Sequence, residues 1–159
     1  MSRTGLTGRW SRLSGRRRRL LVEATAELFA ARLQLLPLPG LDWQKALGVR
    51  GEVAPADDPR PAPGSEPVAG QLDALSRDIG WAVRAAAARV PWRSVCLPQA
   101  IAAQHMLRRR SISARAVVGA RRSESEKPID LHVWVVVRGR VVVGGGGHTT
   151  FAPVVAYDV

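Results

Sequence analysis

Apolar residues recur at helical spacing in three stretches of the chain. In LLVEATAELFAARLQLLPL, at 100° per residue, Arg16, Arg19, Glu23, Glu27 and Gln34 fall on one polar stripe. Leu21, Ala24, Leu28, Ala31 and Leu35 lie beside it, and Leu20, Phe29 and Leu36 extend the apolar face. Pro37 and Pro39 stop this helix. Glu23, Glu27 and Arg32 interrupt the run, so it is neither a bilayer span nor a signal peptide. It is expected to pack on the domain, with peripheral contact with a membrane surface as the alternative. In QLDALSRDIGWAVRAAAARV, residues Leu72, Leu75, Ile79, Ala82, Val83 and Ala86 share helical spacing, Gly80 is tolerated, and Pro91 follows the end. CLPQAIAAQHMLRRR predicts a further helix. Ser94 is its expected N-cap, Pro98 suits its first turn, and Arg108 to Arg110 complement its C-terminal dipole.

The period then changes from helical to alternating. ARAVVGA (114–120), DLHVWVVV (130–137) and RVVVG (140–144) read as strands, the last two joined at Arg138-Gly139, and VVAYDV (154–159) is a candidate fourth. The fold class is therefore α+β, with helices packed on one side of an antiparallel sheet and an amphipathic helix ahead of them. Between the first two helices, residues 51–70 hold Pro55, Pro59, Pro61, Pro63 and Pro67 and show no periodicity. The expected organisation is an arginine-rich arm without fixed structure at 1–19, a helical segment at 20–50, a proline-rich linker at 51–70 and the main core at 71–159.

Charge changes this picture in one place. The chain of 159 residues has 24 basic and 13 acidic side chains, a formal net charge of +11. Arg3, Arg9, Arg12 and Arg16 to Arg19 place seven positive charges and no acid in the first 19 residues. Such an arm reads either as a solubilising tail or as an electrostatic contact with a polyanion. No aromatic platform accompanies it, which argues against sequence-specific nucleic-acid recognition. The single cysteine excludes an intramolecular disulfide and fits a reducing compartment, the cytoplasm.

Cys96 lies where a helix begins, and unpaired N–H groups there favour a thiolate. His132 lies mid-strand, on one face with Asp130, Trp134 and Val136. An imidazole that takes the thiol proton, and helix N–H groups that hold an oxyanion, form the basic unit of cysteine nucleophilic catalysis. The bland reading is a small buried thiol and a packed histidine. A zinc site from Cys96, His132 and His148 is a further alternative. His105, nine residues after Cys96, faces the other side of the same helix. Gly144 to Gly147 lacks the Lys-Ser/Thr of a phosphate loop. The five tryptophans read as packing residues, with Trp92 and Trp134 as candidate walls of a cleft.

The blocks PWRSVCLPQAIAAQHMLRRR, ARAVVGA and LHVWVVVRGRVVVGG together resemble the lasso peptide biosynthesis B protein family, the transglutaminase-like leader peptidases. The resemblance rests on Cys96-Leu97 opening a helix that ends in arginines, on His132-Val133-Trp134-Val135, and on Gly139, and it extends to the N-terminal helix. It implies a papain-like or transglutaminase-like core that cuts leader from core peptide in a ribosomally made precursor. Cys96 would be nucleophile and His132 general base, then acid. It also implies a stand-alone protease that needs a separate precursor-recognition protein and works beside an asparagine-synthetase-like lasso cyclase. The cyclase would use ATP, and this chain would need no cofactor and no metal. The family's orienting Asp would fall at Gly144 to Gly147, where no carboxylate exists. Asp130, His148, Asp158 and a glycine carbonyl are all substitutes, and the sequence leaves the choice open. A second function class also stays open: a non-catalytic basic adaptor for an acidic partner or nucleic acid.

Overall fold

The structure, a computed structural model, describes residues 13–36, 42–53, 66–123 and 128–159, and of residues 66–69 the backbone alone. The helices are α1 (Gly15–Gln34), α2 (Trp43–Leu47), α3 (Glu66–Ala87) and α4 (Cys96–Arg108). The strands are β1 (Val49–Gly51), β2 (Arg115–Arg122), β3 (Ile129–Val137), β4 (Arg140–Val143) and β5 (Ala152–Asp158), with one 3-10 turn at His148–Thr150. They form one antiparallel sheet of order β1-β5-β2-β3-β4. The expected α+β class is the observed one.

Helix α1 starts earlier than the composition implied. Ser14 is its N-cap, its hydroxyl accepting from the Arg17 N–H at 3.3 Å. Arg16 to Arg19 therefore belong to the helix, which corrects the arm expected over 1–19; residues 1–12 lie outside the described residues. Arg16 and Arg17 reach Asp78 of α3 at 3.0 and 3.2 Å, and the Arg17 guanidinium sits 5.1 Å from the Trp81 ring centre. The expected linker is shorter as well. Strand β1 includes Gly51 and α3 opens at Glu66, while residues 54–65 lie outside the described residues.

The core lies between the helices and one face of the sheet. Leu28, Ile79, Val83, Ile101, Met106 and Leu107 are wholly buried there, with Val133, Val135 and Val137 of β3 beneath them. Leu20, Leu21, Ala24, Leu28 and Ala31 put α1 in this same core, so the N-terminal helix is an integral layer. Gly80 is the point where α3 meets β4: a Cβ there would lie 2.2 Å from the Val142 carbonyl oxygen. That carbonyl also accepts from Arg84, which closes part of the edge strand. Arg138 and Gly139 both have positive φ (50° and 75°), the hand that a two-residue hairpin demands. No described helix is long and apolar enough to cross a membrane.

The second sheet face carries no helix among the described residues. Its alternate side chains, Val117, Trp134 and Ala156 with Val136, Val141 and Phe151, make a small second cluster. A cleft of about 710 Å³ opens over it, walled by Trp134, Phe151 and His148.

Candidate active site

Cys96 is the first residue of α4, as its spacing predicts. The N-cap is Val95 and not Ser94, and no side chain caps this end. The Ser94 carbonyl instead accepts from the Gln99 amide at 2.7 Å, and the buried Ser94 hydroxyl has no partner among the described residues. The first-turn N–H groups are thus free of side-chain acceptors, and Pro98 contributes none. The thiol is free and half-buried, and it packs against the helix-side core.

His132 sits on β3 opposite Gly119. Its Nε2 lies 2.7 Å from the Gly144 carbonyl oxygen. A carbonyl only accepts, so Nε2 carries a proton, and in the neutral ring the lone pair is on Nδ1. The ring stacks on Trp134 (centroids 6.0 Å, planes 27° apart) and lies 5.1 Å from Phe151. Trp134 therefore walls the histidine, whereas Trp92 packs against Phe29 at 5.8 Å.

The carbonyl stands where a carboxylate was sought. Asp130 is held by Arg121 and by the Ser123 hydroxyl at 2.9 Å. Asp158 forms a bidentate pair with Arg115 at 2.7 and 3.0 Å, which raises the arginine pKa through that hydrogen bond against a smaller desolvation effect. His148 donates its Nδ1–H to the Gly145 carbonyl at 2.8 Å. None of the three bonds to His132. Gly144 has φ +76°, and a Cβ on it would lie 2.5 Å from the Val133 carbonyl oxygen. The backbone that offers this carbonyl to the imidazole accepts only glycine.

The structure does not join Cys96 to His132. No hydrogen bond links them. The alternation of β3 puts His132 on the Trp134 face, while Cys96 packs with the cluster on the Val133 and Val135 face. Among the described residues no group of three His, Cys, Asp or Glu side chains is placed to hold a metal.

The far end of α4 holds a feature that sequence reasoning missed. Glu27, read as part of the polar stripe of α1, is buried. It accepts from His105 Nδ1 at 2.9 Å and from Arg109. Glu23 accepts two bonds from Arg110, at 2.9 and 2.6 Å. Those bonds raise the Arg110 pKa, against a smaller desolvation effect. Burial, helped by the charge of Arg108, holds the His105 pKa below its ordinary 6.5, although the Ala46 carbonyl pulls the other way. The signal for this network was the four-residue spacing of Glu23 and Glu27, which matches a run of arginines one turn long.

The sequence profile of the transglutaminase-like superfamily matches residues 38–156. No curated protein and no solved structure matches the chain.

Proposed function

The chain belongs to the transglutaminase-like superfamily, and from that premise we propose that it is a cysteine peptidase that removes the leader from a lasso-peptide precursor. The observation that carries this reading is an uncapped helix opening on Cys96, within a superfamily whose chemistry is cysteine-based. In this reading the Cys96 thiol gives its proton to Nδ1 of His132, and the thiolate attacks the scissile carbonyl. The developing oxyanion lies against the N–H groups of the first turn of α4. The imidazolium then protonates the leaving amine, and water releases the acyl group from sulfur. Gly144 holds the imidazole through Nε2, leaving Nδ1 as the basic nitrogen. A carbonyl orients the ring without the charge by which a carboxylate stabilises an imidazolium, so a modest rate is expected. The reading requires that thiol and Nδ1 meet in the complex with the precursor.

The partners in this reading are the precursor, a separate recognition protein and an asparagine-synthetase-like cyclase in the cytoplasm. ATP is consumed by the cyclase, and this chain uses no cofactor. The test is reconstitution with precursor and recognition protein, followed by mass spectrometry of the products. Cleavage at one bond by the wild type, abolished in Cys96→Ala and His132→Ala, is the expected result. Normal cleavage by either variant overturns the proposal.

One observation favours a second reading. Cys96 packs on the helix-side core while His132 stacks on Trp134 of the other sheet face, and among the described residues no acid bonds to the imidazole. A superfamily member without a working pair would serve as a basic adaptor for an acidic partner or nucleic acid. It would bind without cleaving, its affinity would fall steeply with salt, and Cys96→Ala would bind as the wild type does.

A further inference from the structure

Helix α1 spends its acids inward, and its outward face is apolar. Val22, Phe29 and Leu33 are 60, 51 and 46% exposed, and Leu36, just past the helix end, is 41% exposed. Spacings of seven and four residues confine the three helical side chains to a stripe about 40° wide. A groove of about 340 Å³ runs beside this stripe, between Val22 and Thr25 of α1 and the residues Val90 to Trp92. Phe29 packs on Trp92, which lines the groove and whose indole N–H has no acceptor among the described residues. Exposed apolar surface of this extent on one helix face marks a contact site.

The charges around it are of one sign. Arg19 and Arg32 on α1, and Arg93 next to Trp92, are exposed, and none of the three is ion-paired with an acid among the described residues. Glu23 and Glu27, the acids of α1, are committed to Arg110, Arg109 and His105. We infer that this face of α1, with the 90–93 loop, is a docking site for an acidic amphipathic helix of another protein. Apolar side chains of such a helix at i, i+4 and i+7 fill the groove, and its flanking carboxylates meet the three arginines. A second copy of this chain is the poorer occupant, because two-fold pairing would set like charges against each other. A bilayer surface matches the arginines, but a flat headgroup layer does not fill a groove. The inference concerns binding, and it stands or falls separately from cleavage at Cys96.

The test uses the full chain and a fluorescent synthetic helix with leucines at those positions and glutamates on its flanks, read by anisotropy. A counterpart with lysine in place of glutamate, and vesicles of phosphatidylcholine and phosphatidylglycerol, complete the set. Saturable binding of the acidic peptide is expected, with the lysine peptide at least about tenfold weaker. Phe29→Ser and Leu33→Ser, both on the exposed face, should each weaken the acidic peptide by about tenfold. No binding, equal affinity for the two peptides, indifference to both substitutions, or binding to vesicles alone would each overturn it.

Discussion

The two ends of α4 are built on opposite plans. At its C-terminal end, His105, Arg109 and Arg110 are tied across to Glu23 and Glu27 of α1 by charged hydrogen bonds. At its N-terminal end no side chain caps Cys96, and the neighbouring Ser94 hydroxyl has no partner among the described residues. One end anchors the helix, and the other withholds a stabilising cap from the residue with the most reactive side chain. A cap there would add stability but would compete for the same N–H groups. Leaving them open is the arrangement a site for a negatively charged intermediate requires.

Each substitution that breaks this contrast has a distinct signature. Cys96→Ala should give the largest effect: precursor cleavage falls by at least about a thousandfold while the melting temperature stays within a few degrees. Glu27→Ala should do the reverse. It strands His105 and Arg109, and urea unfolding should show a loss of about 2–3 kcal/mol, moderated because Arg109 is half-exposed. Val95→Asn supplies the missing cap. It should raise stability by about 1 kcal/mol and slow cleavage, and an unchanged rate would show that these N–H groups carry no oxyanion. The smallest effect is on pH dependence. Because the folded His105 pKa lies below 6.5, its contribution is present above that value. It is lost as pH falls from there toward the folded pKa, because the unfolded chain takes up the proton first. The charged groups packed around it are Glu27, Arg108 and Arg109. His105→Gln should flatten the fall of the urea midpoint as pH drops below 6.5, and an undiminished slope would place the titration elsewhere.

Much of the architecture was legible because local patterns and global fold agree. Cys96 at a helix start, His132 on a strand and the Arg138-Gly139 turn each followed from spacing or turn chemistry. The face of α1 was only half legible. Periodicity identified Leu21, Ala24, Leu28 and Ala31, but it assigned Glu27 to the polar stripe and Phe29 to the core. A buried carboxylate is favourable only with partners in hand, and those partners lie 78 and 82 residues along the chain, where no periodicity reaches. Strand β1 escaped because three residues cannot show an alternating period. The group that holds His132 was among the candidates, but the sequence could not choose it over Asp130, His148 and Asp158. It is a main-chain oxygen, which every residue type possesses, and only the chain's course at Gly144 aims it.

That glycine also sets the terms on which a carboxylate could be introduced beside His132. Gly144→Asp alone would place a side chain against the Val133 carbonyl and force the turn to change hand. The change would withdraw the main-chain oxygen before the new carboxylate was in place. A single substitution toward an aspartate beside His132 therefore first loses the hydrogen bond that now holds the imidazole. Variants that reshape the 144–147 turn together with the substitution are the ones to build.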